Sequence, residues 1–237
     1  MKKTRLKTRQ QGFTLIEIMI ALVLGAFLIG GVLQIFLNSK QTYRMQDNLS
    51  RMQENGRFAM EFISRDVRMA DYRSCYTDSS NANAISGTNG STTPTPDAPD
   101  TITVIQKLAV VQANLCGASL QDTRTYKIQN NASGQPSLYR NINGGGFQEL
   151  IEGIENMQII YGVDTNADKA PDYYVDAATV PNWSQVISIR ISLLAVSLAD
   201  NLTSQPVPYT YNGTTTTPTD RKLRRVFTST IVLRNRL

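Results

Sequence analysis

Three groups of residues could do chemistry. The first is Glu17, the sole ionisable residue between Phe13 and Leu37. A charge at membrane depth costs at least a few kcal/mol unless it is paired or reaches water, so an acid in so apolar a run is a functional residue by default. The second is VDTNADKAPDYY, where Asp164, Asn166, Asp168 and Asp172 stand at positions 1, 3, 5 and 9 of a loop counted from Asp164. Hard oxygen ligands at that spacing open a calcium loop, which makes calcium a candidate ligand. Position 6, where such a loop wants glycine, is Lys169, and position 12 is Val175 in place of a bidentate glutamate, so an acidic solvated turn competes with the metal reading. The third is Cys75 and Cys116. Two cysteines cannot form a four-thiolate metal site, and these are too far apart for a Cys-x-x-Cys redox motif. In an oxidising compartment they read as one disulfide, worth about 4 kcal/mol on the chain-entropy model. Two separate buried thiols are the alternative.

What is missing narrows the function further. The chain has no histidine, which removes the commonest general base and the commonest zinc ligand. NGGG (143–146) has neither the spacing nor the lysine of a phosphate-binding loop, and no nucleophile–base pairing is visible. The expectation is a protein that is not an enzyme and requires no cofactor. The net charge of +5 does not indicate a nucleic-acid surface either. Lys2, Lys3, Arg5, Lys7 and Arg9 supply it, and the other 19 basic residues balance the 19 acidic ones. No specific nucleic-acid partner is therefore expected.

The elements that must position these residues begin with the apolar run. From Phe13 to Leu37 it is long enough to cross a bilayer as a helix. The basic block precedes it, which puts residues 1–12 in the cytoplasm and everything after Leu37 outside. The distal end, VLQIFLNSK, offers no small-residue cleavage pattern, and the change in character falls before the run, at Gly12–Phe13. The apolar segment is thus one that is kept.

The residues G-FTLIE, with the basic leader before them and the apolar helix after, resemble the type IV pilin and pseudopilin signature. The resemblance implies cleavage by a prepilin peptidase between Gly12 and Phe13 and N-methylation of Phe13. It also gives Glu17 a partner, the free N-terminal amine of a neighbouring subunit as helices stack in a filament. A buried carboxylate is tolerated when an ammonium compensates it with good geometry. Snorkelling of Glu17 to the nearby interface is the plainer reading.

Beyond Leu37 the spacing predicts one helix running to about residue 70. Met45, Leu49, Met52, Gly56, Ala59, Ile63, Val67 and Ala70 recur every three or four residues as the face packed on a head. Gly56 is a soft spot costing up to about 1 kcal/mol relative to alanine. The domain reading is a leader over 1–12, a hydrophobic helix over 13–37, its amphipathic continuation over 38–72 and a β-rich head over 73–237. Within the head, the Ser/Thr/Asn/Gly/Pro-rich stretch 77–100 reads as an exposed loop. TITVIQ (101–106), TYKIQ (125–129), SLYRNI (137–142), MQIIYGV (157–163), VISIRISLLAVS (186–197) and VFTSTIVLRN (226–235) read as strands. The fold class is α+β, a long N-terminal helix on a mostly antiparallel sheet.

ENGRFAMEFISRDVRMADY, FQELIEGIENMQIIYGVDTNAD and RRVFTSTIVLRNR resemble PilW-type minor pilins. That resemblance implies a structural subunit joining a tip or priming complex that promotes type IV pilus assembly. The implied partners are other minor and major pilins through the N-terminal helix, the inner-membrane assembly platform and a large tip adhesin. The implied location is the inner membrane, then the pilus at the cell surface. The same stretches overlap with J-type minor pseudopilins of type II secretion, which keeps that destination as the alternative.

Overall fold

The computed structural model describes residues 12–73, 83–90, 98–109 and 119–236. The chain forms two compact units, Met1–Met45 and Gln46–Leu237. One helix, α1 (Leu15–Arg68), contributes to both.

In the first unit α1 is long and apolar enough to cross a membrane, with a mean hydropathy of 2.5 over its best 18-residue window. None of the described residues 12–45 is buried. An apolar helix that buries nothing in its own chain needs lipid or other helices around it.

In the second unit α1 packs as an ordinary amphipathic helix. Met52, Gly56, Ala59, Ile63 and Val67 are buried along one face. Met45 and Leu49, at the start of the expected stripe, stay exposed, so burial begins about two turns later than the periodicity predicts. Gly56 is a fitted position as well as a soft one. A Cβ there would lie 2.2 Å from the Phe227 ring, so the missing side chain is what lets helix and sheet approach.

Among the described residues the strands are β1 (Ile85–Thr88), β2 (Thr101–Ala109), β3 (Ser119–Asn130), β4 (Pro136–Ile142), β5 (Phe147–Glu152), β6 (Ile154–Val163), β7 (Tyr173–Val175), β8 (Val186–Val196), β9 (Tyr209–Tyr211), β10 (Thr214–Thr216) and β11 (Arg224–Val232). β1 to β5 form a meander in sequence order, closed between β4 and β5 by Asn143 and Gly144 at positive φ. A four-stranded sheet has the order β11-β8-β6-β7, and β9 pairs with β10 as a small ribbon. The strand pairs in all three sheets are antiparallel. The fold is α+β, one long N-terminal helix with antiparallel sheets.

Alternation along β6 and β8 sends Met157, Ile159, Tyr161 and Val163, with Ile189, Ile191 and Leu193, to one face. They join the buried face of α1 and Ile102, Val104, Tyr126 and Leu138 of the meander in a single core. Part of the stretch expected to be an exposed loop, 77–100, is strand: β1 lies within it, and Ala84 and Ile85 are fully buried. The sequence signal was masked there because the two apolar residues sit among small polar ones.

Candidate functional site

The first unit carries the site at the start of α1. Thr14 is the N-cap residue: its Oγ1 accepts a hydrogen bond from the Glu17 backbone N–H at 3.3 Å. Glu17 returns the bond, its Oε2 accepting from the Thr14 N–H at 3.4 Å and from Thr14 Oγ1 at 3.5 Å. This is a capping box, the T-x-x-E arrangement that satisfies two of the amides every helix leaves open at its N-terminus. Beyond the assembly or snorkelling role expected of Glu17, the structure adds Thr14 as its capping partner, a signal that T-L-I-E carries in the sequence. The carboxylate also stands at the helix N-terminus, where the macrodipole favours negative charge.

Glu17 shares a shallow apolar groove with Phe13, Ala21, Leu22, Gly25 and Ile29. Phe13 is 80% exposed. The arrangement presents one acid, held by its own helix start, on an otherwise apolar surface. An ammonium brought to that surface meets a carboxylate already oriented. Gly12 is exposed beside Phe13, and the leader before it lies outside the described residues.

In the second unit the four residues of the candidate calcium loop fall on one turn between β6 and β7. Asp164 accepts from the backbone N–H groups of Asn166 (3.2 Å), Ala167 (2.7 Å) and Lys169 (2.9 Å). Asp172 accepts from the Thr165 N–H at 2.7 Å and hydroxyl at 2.5 Å, which together hold its carboxyl below the usual carboxylate range. Asp168 accepts from the Ala170 N–H at 2.8 Å, and the Asn166 amide nitrogen lies 3.2 Å from both Asp168 and Asp172. Ala167 and Lys169 take positive φ, so Lys169 occupies the left-handed position the motif reserves for glycine. The acids thus turn their oxygens to the loop's own N–H groups. Among the described residues no three His, Cys, Asp or Glu side chains gather as a metal cage. Cys75 and Cys116 lie outside the described residues.

Two charge clusters in the head were not foreseen. Asp66, on the buried face of α1, meets Arg124 and Tyr126 of β3. Arg224 bonds Glu155 and Asp220 in bidentate fashion while only 6% of its side chain is exposed. Burial strips water from Arg224 and opposes its charge, but the hydrogen bonds and charges of Asp220 and Glu155 prevail and hold it above its ordinary range. Both clusters fasten elements of the head.

Comparison with known proteins bears on both ends of the chain. Residues 7–33 match the prokaryotic N-terminal methylation motif, and residues 125–235 match the family of Type IV Pilus-assembly protein W, PilW. No curated protein matches the sequence. Among solved structures, a type IV-like pilin from Thermus thermophilus aligns over 81% of this chain and 97% of its own, at 14% identity and a TM-score of 0.43. A chain of the GspK-GspI-GspJ complex from the Type 2 Secretion System of enterotoxigenic Escherichia coli aligns over 78% and 97%, at 13% identity and a TM-score of 0.37. The chain thus carries a methylation motif of the type IV pilin kind at its start, and residues 125–235 of its head are similar to the PilW family.

Proposed function

We propose that the chain is a minor pilin, a structural subunit without enzymatic activity that joins a tip or priming complex and promotes assembly of a type IV pilus. The observation that carries this reading is the exposed apolar helix of the first unit, headed by the Thr14–Glu17 capping box. Such a helix is stable in lipid before assembly and among other helices after it, and Glu17 distinguishes the two environments. In lipid the acid has only its own helix start. In a filament it gains the methylated amine of a neighbour's Phe13, so register between subunits is rewarded.

On this reading a prepilin peptidase cuts between Gly12 and Phe13. The subunit waits in the inner membrane with its N-terminus cytoplasmic and its head outside. Other minor and major pilins and the assembly platform receive it through α1, and a large adhesin is the candidate neighbour at the tip. A J-type minor pseudopilin of a secretion system shares this physics and differs in destination.

Mass spectrometry of the mature N-terminus, on protein recovered separately from sheared surface fibres and from membranes, tests the proposal. N-methyl-Phe13 in fibres is the expected result. The same terminus in membranes and never in fibres favours the pseudopilin, and an intact Met1 in both overturns the reading.

A further inference from the structure

β11 is the outer strand of its sheet: it pairs with β8, and among the described residues no strand pairs with its other side. The hydrogen-bond phase is set by two flanking bonds, from Leu233 N–H to Ile187 O and from Ser197 N–H to Leu223 O. Odd-numbered residues of β11 therefore exchange bonds with β8. The N–H and C=O groups of Val226, Thr228, Thr230 and Val232 point away from the sheet.

Edges of this kind are usually blunted by bulges, prolines or brevity. β11 has none of these. It is nine residues long, about 30 Å at the usual rise, has no proline, and keeps unbroken register with β8, whereas the β4–β5 and β6–β8 pairings both shift.

Beside this edge runs a groove of about 600 Å3 between β11 and the side of α1. Met60 and Phe227 line its middle, with Arg57, Arg68 and Arg225 among its polar walls against Glu54 and Glu61. α1 and β11 run in the same direction here, since Phe227 lies at Gly56 and Asn235 lies at Arg68.

We propose that this edge is a strand-addition site for an extended segment of a neighbouring subunit. The unused row of backbone donors and acceptors calls for a partner backbone in extended form. The groove asks for an apolar side chain over Met60 and Phe227, and the excess of arginines over glutamates favours an acidic one two residues away. A second copy is disfavoured. Two β11 edges brought together would carry the same excess of arginines to one seam, and like charges there oppose pairing. The origin of the occupant rests on the pilin reading above.

The test is the Thr228→Pro variant of the full chain, with Thr228→Val as its control. Proline at 228 removes an outward N–H and leaves the β11–β8 ladder intact, whereas valine keeps the edge. Thermal midpoints are read on purified protein in detergent, and the share of each variant in sheared fibres is read against wild type. The expected result is a Thr228→Pro midpoint within a few degrees of wild type and at least a tenfold smaller share in fibres, with Thr228→Val normal. Should proline shift the midpoint further, Thr230→Pro replaces it by the same logic. A folded proline variant that enters fibres as wild type does overturns strand addition and leaves the pilin reading standing. Wild-type chain found in no fibre and no larger complex overturns both. Wild-type dimers in detergent that the proline variant lacks would assign the edge to a second copy, against the proposal.

Discussion

Asp66 Oδ1 lies 2.5 Å from Arg124 Nη1, joining the last turns of α1 to the middle strand of the meander. The Tyr126 hydroxyl donates to the other oxygen at 2.5 Å, and only 1% of the Asp66 side chain is exposed. Burial opposes the charge on Arg124, and Asp66 and Asp122 more than offset it. Asp66→Ala leaves Arg124 with Asp122 alone and the Tyr126 phenol without its acceptor, and is expected to cost about 1–3 kcal/mol. Urea unfolding of the full chain in detergent measures the loss. Replacing Asp66 and Arg124 together is expected to cost less than the two single changes summed, because each single change already removes their shared contact.

Gly56→Ala is expected to destabilise although alanine is the better helix former. The intrinsic gain of up to about 1 kcal/mol is outweighed by forcing the Phe227 ring aside, with a net loss of about 1–2 kcal/mol. Thermal unfolding checks this. Gly56→Ala combined with Phe227→Leu should recover part of the loss, which a purely local helix effect would not allow.

Thr14→Ala removes the N-cap and is expected to loosen the first turn of α1 by about 1 kcal/mol. Thr14→Ser should restore it. Glu17→Ala removes both the cap partner and the acid, so it should abolish entry into fibres, whereas Thr14→Ala should only reduce it. Processing assays and fibre recovery distinguish the two. Normal entry of the Glu17→Ala variant would show that the acid serves the helix start alone.

The pH dependence follows from four carboxyls held below their usual range: Asp220 by Arg224, Asp176 and Asp172 by the hydroxyls of Thr179 and Thr165, and Asp200 by the Asn201 N–H. A lowered carboxyl contributes stability above its unfolded value of about 4, and that contribution disappears as pH falls through the folded value. The thermal midpoint should therefore be flat from pH 7 to about 5 and drop below about pH 4, with Asp220→Asn flattening part of the drop. Burial pushes the phenols of Tyr126 and Tyr161 upward, with Asp66 adding to the first and Asp100 to the second. For these the sign reverses: the stability is present below about pH 10 and is lost above it.

The Asp164–Asp172 loop is satisfied by its own donors, so the thermal midpoint should be unchanged between millimolar calcium and a chelator. Asp164→Ala, by contrast, removes the acceptor for three backbone N–H groups at a nearly buried position and should cost about 2–3 kcal/mol in either condition. A midpoint that rises with calcium would mean that the side chains re-aim around the ion.

Much of this was legible from periodicity. The three-and-four spacing of Met52 to Val67 and the alternation of β6, β8 and β11 follow directly from which side chains must leave water. Short strands such as β7, β9 and β10 were not legible. Three residues carry too little alternation, and pairing partners decide their conformation. Asp66 was hidden for another reason. A charged residue in phase with Ala59, Ile63 and Ala70 looks like an interruption of the buried face until Arg124 arrives from 58 residues away. The calcium pattern was legible but ambiguous, because the Asp and Asn spacing that binds an ion is also the spacing that lets a turn bind its own amides.

Asn235 donates to the carbonyls of Arg68 and Ala70, and Arg236 to those of Trp183 and Val186. The end of α1 is thus capped by Asn235, made more than 160 positions later. During synthesis the helix emerges first and waits, its last carbonyls and its core face uncovered, until β11 and these two side chains follow. Folding of the head is for that reason a late and single event, and a ribosome halted before residue 235 releases a chain whose helix has been anchored but never closed.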